Sequence, residues 1–186
     1  MAEKLVPQQL RKNYYYSGTI NLGSKDTIIM LSESMVINLE ELSTLSDNQL
    51  SELKEIITKK NIRLRRPYGR VNETLARRAS FPGSTNDKKI LTDTTGSRRF
   101  LVFDVSKVDY KHNVDVEKVY SQALSLYKNG FKFWFDEEEI QEINLNNEQF
   151  RAKSIVEELL LLTYLPTQED DATVILSATD ILTELN

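Results

Sequence analysis

A chain of 186 residues, 40% hydrophobic and 28% charged, can enclose the core of one ordinary domain while most of its charge stays on the surface. It has no cysteine, which excludes disulfides, zinc-thiolate sites and thiol catalysis, and its single histidine, His112, would have to carry any imidazole chemistry. The net charge of −4 gives the whole molecule no attraction for nucleic acid or acidic membranes, and no apolar run is long enough to span a bilayer.

Met1 to Lys12 is polar and lacks the apolar segment of a signal peptide, so cytoplasmic residence and no membrane association are expected. Tyr14, Tyr15 and Tyr16 could stack on bases, but aromatic packing against a core is the expectation. Gly18 to Lys25 comes near a phosphate-binding loop. It misses G-x-x-x-x-G-K-[ST] by one residue inserted before the lysine, which turns the ammonium away from a terminal phosphate, so a plain turn is expected. Lys25 to Glu33 fits a short helix. Met35 to Leu39 then reads as an apolar strand that ends in Glu40 and Glu41. Acids at the C-terminal end of a buried parallel strand lie where open α/β sheets place their chemistry. In nucleotide hydrolases one such acid holds Mg²⁺ through water and the next polarises the attacking water. The plainer alternative is a short strand running into an acidic turn.

Ser46 and Gln49 form a capping-box pattern that opens an amphipathic helix bearing Leu50, Leu53, Ile56 and Ile57. Between Lys59 and Arg78 stand Lys59, Lys60, Arg63, Arg65, Arg66, Arg70, Arg77 and Arg78, opposed only by Glu73, a basic block that points to a local polyanion site. Within it, Ile62-Arg63-Leu64-Arg65 alternates as a strand with one basic face, and Pro67-Tyr68-Gly69 turns the chain. Ala79 to Phe81 leads a strand into the small-polar Gly83-Ser84-Thr85-Asn86. Arg98 and Arg99, suited to bidentate phosphate contact, start an apolar stretch to Val105 that reads as another strand.

From Val116 the period becomes helical, with Val119, Tyr120, Ala123 and Tyr127 on one face and Asn129-Gly130 as the stop. Glu137–Phe150 and Ala152–Leu165 are further predicted helices, the first opened by the acidic turn Asp136–Glu139. An acidic linker begins at Pro166, and Ser177–Leu185 starts one more helix. His112 is expected in a solvated loop, and Trp134 as a packing anchor between helical region and core. Strands alternating with helices, then helices alone, indicate an α/β core with a helical lid.

In this order, the acid-ended strand, the capped helix, Ile62 to Arg70, Phe81 to Asn86 and Leu91 to Phe100 resemble the virulence-associated protein E family. The likeness spans roughly residues 8–165 and includes Tyr127 to Gly130 and Phe133-Trp134-Phe135. The family looks like a branch of the P-loop helicase-ATPases of mobile elements and phages, often fused behind a primase domain. The resemblance implies an incomplete AAA+-like core with a parallel sheet at residues 1–108, a helical region at 109–165, and a linker with the start of a helix at 166–186. It places Glu40 as the Mg²⁺-holding acid, although Asp is usual there, and Glu41 at the water-polarising position. Asn86 stands as the sensor beside the nucleotide, and Arg98 or Arg99 as the finger reaching a neighbour's nucleotide.

Lys59, Lys60, Arg63, Arg65, Arg66 and Arg70 lie where related ring helicases carry DNA-contacting hairpins. The implied cofactors are ATP and Mg²⁺, and the implied partners are DNA, single-stranded or forked, and further copies in a hexameric ring. The family's glycine-lysine loop would precede this chain, which therefore reads as a trimmed piece or a decayed gene, without ATPase activity by itself. A DNA-binding or regulatory module that does not hydrolyse ATP, and a non-functional remnant, are the competing expectations.

Overall fold

The computed structural model describes residues 2–91, 97–164 and 177–184. Thr92 to Gly96, within the motif that leads to the arginine pair, and the acidic linker lie outside the described residues.

Strand β2 (Val36–Asn38) is the centre of a small parallel sheet. Its β-branched Val36 and Ile37 are buried, Ile37 completely, which is the environment these stiff side chains favour. On one side lies β1 (Tyr15–Ser17), in parallel register with Tyr15 opposite Val36 and Ser17 opposite Asn38. On the other side runs the segment from Ser80 to Gly83, with parallel bridges Val36–Ser80 and Leu39–Gly83. Ile37 N–H donates to Ser80 O at 3.0 Å and Leu39 N–H to Pro82 O at 2.9 Å. The strand expected after Ala79 thus pairs through separate bridges, because Pro82 has no N–H to return to the ladder.

Helices α1 (Gln8–Tyr14) and α2 (Lys25–Glu33) flank β1. Ser24 caps α2 by accepting from Thr27 N–H, and the helix buries Leu31. The expected capping box is formed at α3 (Asp47–Thr58), where Ser46 and Gln49 serve each other's backbone N–H groups. This helix buries Leu53 and Ile56. Strands β3 (Asn61–Leu64) and β4 (Glu73–Ala76) make an antiparallel hairpin in which Ile62 and Leu64 are buried and Asn61 and Arg63 exposed. Ile20, Leu22, Leu31, Ile37, Leu39, Leu53, Ile56, Ile62, Leu64 and Ala79 form one core.

The second part of the chain departs from its expectation. Residues 97–99 form a turn of 3₁₀ helix, and no strand follows, so Leu101, Phe103 and Val105 stand exposed. Alternating apolar residues become a strand only beside an edge that pairs with them. Here side chains of a later helix take the carbonyls instead. Helix α4 (Val116–Lys128) has its expected limits, capped by Asp115 and ended at Asn129-Gly130, yet it buries no residue. Helices α5 (Glu137–Glu148), α6 (Ile155–Thr163) and α7 (Ala178–Glu184) follow.

Leu91 bridges Arg151 in parallel, tying the chain beyond α5 back to the core-side segment. Trp134 is no anchor: it is 61% exposed and meets Phe133 edge-on with ring centres 5.1 Å apart. His112 lies in a loop, where its Nδ1 accepts from Val114 N–H. The architecture is mixed α/β with a small parallel sheet and several helices. Among the described residues no helix is long and apolar enough to cross a membrane.

Candidate functional site

Parallel pairing brings the acid-ended strand and the small-polar segment to one end of the sheet. Leu42 N–H donates to Ser84 O at 3.1 Å, directly after Glu40 and Glu41. Gly83 permits this approach: a Cβ there would stand 2.5 Å from Leu42 Cδ1. Glu40 is exposed, and its Oε1 accepts from Ser17 Oγ at 2.7 Å, while the same hydroxyl accepts from Asn38 Nδ2 at 2.8 Å. Ser17 was not foreseen, because only the β1–β2 register places it beside the acid. Glu41 takes a left-handed backbone with φ 52°, which costs a non-glycine residue roughly 1 kcal/mol. Its carbonyl accepts from the N–H and hydroxyl of Thr44, both at 2.9 Å, which holds the carboxylate at the start of a 3₁₀ turn.

Asn86 lies two residues past Ser84, exposed, in a turn closed by Thr85 Oγ1 accepting from Asp87 N–H. Hydroxyl, amide and carboxylate at this end are hard oxygen donors of the kind that suits Mg²⁺ held through water. Among the described residues no group of three or more acids or histidines could hold a metal by itself.

Arg98 and Arg99 sit on the 3₁₀ turn, Arg98 exposed and Arg99 half-buried. Among the described residues no ion pair or hydrogen bond joins either to Glu40 or Glu41. The link is mainly apolar: Phe100, next after Arg99, and Leu42, next after Glu41, line one cavity of about 20 Å³ with Leu50, Lys54, Ile90 and Leu91.

Three asparagines of α5 fix the arginine turn. Asn147, 1% exposed, donates Nδ2 to Ser97 O at 2.8 Å and to Phe100 O at 2.9 Å. Ser97 Oγ donates to Asn144 Oδ1 at 3.2 Å, and Asn146 Nδ2 donates to Val102 O at 3.2 Å. Sequence reasoning passed over this clamp, although three amide side chains on a single helix turn were its visible signal. Among the described residues, Asn147 Oδ1 and Arg99 Nε are buried without a hydrogen-bond partner. Such atoms are rare and costly in native proteins.

The basic block divides into structural and free cations. Arg66 is engaged within the protein, by Glu73 at 3.1 Å and Glu33 at 3.4 Å. Glu73 first, then Glu33, hold its guanidinium more firmly charged than usual. Lys59 pairs with Glu55 at 2.6 Å. Arg77 donates to Lys59 O and Ala79 O, closing the base of the hairpin. Lys60, Arg63, Arg65, Arg70 and Arg78 are exposed and, among the described residues, form no ion pair. Arg63 stands on the solvent face of β3 opposite Thr74.

At the tip, Arg66-Pro67-Tyr68-Gly69 forms a turn closed by Gly69 N–H to Arg66 O at 2.9 Å, with Tyr68 at φ 63°. A positive φ at the third turn position is normally given to Gly or Asn.

No curated protein matches the chain. A family model described as the virulence-associated protein E-like domain matches residues 4–152. The match takes in the acid-ended strand, the basic hairpin, the arginine turn and the asparagines that hold it, and the chain belongs to the virulence-associated protein E-like domain family.

Proposed function

We propose that this chain belongs to the DNA-acting part of a mobile-element primase-helicase, whose intact form hydrolyses ATP while gripping DNA as a ring of copies. The observation that carries this reading is the Leu39–Gly83 register. It sets Glu40 and Glu41 beside the Ser84–Asn86 segment, and the basic hairpin is the piece of chain between them. In an incomplete AAA+-like core of this kind, Glu40, which accepts from Ser17, would hold hydrated Mg²⁺, and Glu41 would polarise the attacking water. Asn86 would contact the nucleotide, and Arg98 or Arg99 would reach the nucleotide of an adjacent copy. ATP and Mg²⁺ supply the phosphoryl-transfer chemistry when bound. The sequence has no G-x-x-x-x-G-K-[ST] pattern to cradle a triphosphate. Calorimetry of this chain with Mg-ATP is therefore expected to show no micromolar binding, and a micromolar isotherm would refute the assignment of its cradle to another segment.

A second reading, a DNA-binding module that does not hydrolyse ATP, is favoured by the free cations of the hairpin. Both readings require polyanion contact there. Fluorescence anisotropy with a labelled single-stranded oligonucleotide should show binding that weakens steeply with salt. Replacing Arg63, Arg65 and Arg70 by Gln should flatten the log K against log salt slope by about 0.7 for each phosphate contact removed. Absence of binding at low salt would remove both readings.

A further inference from the structure

Among the described residues Tyr68 is the most exposed large apolar residue, at 105% of its reference surface, so its ring gives the fold no packing. It also occupies a left-handed position that glycine or asparagine fills with less strain. A residue that neither packs nor suits its backbone is one the fold alone would not select, and such strain points to a task at the surface. The surroundings indicate the task. Arg65 and Arg70 lie three and two residues away, exposed, and Arg63 continues the same solvent face. The turn is firmly built: Pro67 restricts it, Gly69 lies against Arg66 O, and Glu33 and Glu73 pin Arg66 beneath it. The turn therefore holds one aromatic ring exposed, with exposed cations before and after it in the chain that can follow a phosphate backbone.

We propose that Tyr68 is a base-stacking residue and that the hairpin tip takes single-stranded DNA in preference to duplex. The proposal rests on the polyanion reading of the hairpin given above. In a duplex the base faces are already stacked on one another, so a projecting ring finds no partner. In a single strand every base offers a face, whatever its identity. The arginines then supply attraction common to all polyanions, and the ring supplies the choice of strand.

The test compares oligo-dT, an abasic deoxyribose-phosphate chain of equal length, and a duplex, each competing for the full chain against labelled oligo-dT. The native chain should bind oligo-dT between about 5- and 150-fold more tightly than the abasic chain, the range that one stacked base provides. Tyr68→Asn, which suits the turn and should melt no lower than the native chain, is expected to erase that gap while the salt slope stays unchanged. Tyr68→Trp should keep it. Arg63→Gln with Arg70→Gln should weaken both oligonucleotides alike and leave the gap standing. Equal binding of oligo-dT and the abasic chain by the native protein, or a gap that survives Tyr68→Asn, overturns the stacking role and leaves the polyanion reading intact. No binding of either overturns both.

Discussion

Helices α3 and α4 have nearly the same length and similar amphipathic patterns, yet they meet opposite fates. Helix α3 places Leu53 and Ile56 in the core, against the sheet and the hairpin. Helix α4 carries Val119, Tyr120, Leu124 and Tyr127 at equivalent spacing and leaves all of them between 39% and 64% exposed. Its ties to the rest of the described chain include Tyr120 Oη donating to Leu5 O at 2.8 Å, and Lys4 Nζ donating to Tyr110 O in the loop before it. Periodicity establishes that a helix has an apolar side; it does not supply the surface that covers it.

Stability measurements sharpen this contrast. The largest effect is expected at the centre of the sheet, where Ile37→Ala should cost about 2–5 kcal/mol by urea unfolding. Tyr127→Ser on α4, 64% exposed, should change stability by less than about 0.5 kcal/mol. A cost at Tyr127 comparable to that at Ile37 would show that the helix is covered in solution.

Next in size is the asparagine clamp. Asn147→Leu removes the donor shared by the Ser97 and Phe100 carbonyls; Ser97 O keeps the Phe100 N–H, so the loss falls on Phe100 O, at about 1–3 kcal/mol. Amide exchange should quicken around residues 97–102 and in α5 before it changes in β2. Gly83→Ala is expected to cost about 1–3 kcal/mol, because its methyl group would stand 2.5 Å from Leu42 Cδ1 and 2.8 Å from Leu42 Cγ, so that the leucine side chain must move. A neutral Gly83→Ala would mean that the acid turn moves freely against the neighbouring segment.

The smallest effect is a pH dependence at α6. Arg151 holds the Glu157 carboxyl below its ordinary value of 4.5 through hydrogen bonds of 2.7 and 2.5 Å. A depressed folded pKa contributes stability that is complete above the unfolded value and is lost as pH falls through the folded one. Backbone NMR shifts around Arg151 and Glu157 should therefore change on acidification below about pH 4.5, and Glu157→Gln should remove the part of that change that Glu157 contributes.

Much of the first half could be read before any coordinates, since its signals are local. The Ser46–Gln49 box, the Ile62–Arg65 alternation and the apolar run before Glu40 each contain their own physical cause. What escaped depended on distant partners. Ser17 meets Glu40 only through strand register, and Asn147 meets Ser97 only through a tertiary contact fifty residues away. Arg66 resembled its neighbours in sequence but is committed to Glu33 and Glu73, because the fold brings α2 under the hairpin. The apolar run from Phe100 to Val105 suggested a strand, but composition cannot state whether an edge is available to receive it. The residues proposed for catalysis were chosen by resemblance. The structure sets the acids beside the Ser84–Asn86 segment and puts the arginines on a separately supported turn.

The parallel sheet also constrains how the chain reaches its native form. Its central strand joins residues 15 and 36 on one flank, and 36 and 80 on the other, so neither pairing can begin as a tight hairpin. The β3–β4 unit and the boxed α3 need only near neighbours and can organise early, whereas the two flanks must await closure of long loops. The end of the sheet that bears Glu40 and Glu41 is thus expected to assemble last, and slow refolding should register there as late-gained amide protection.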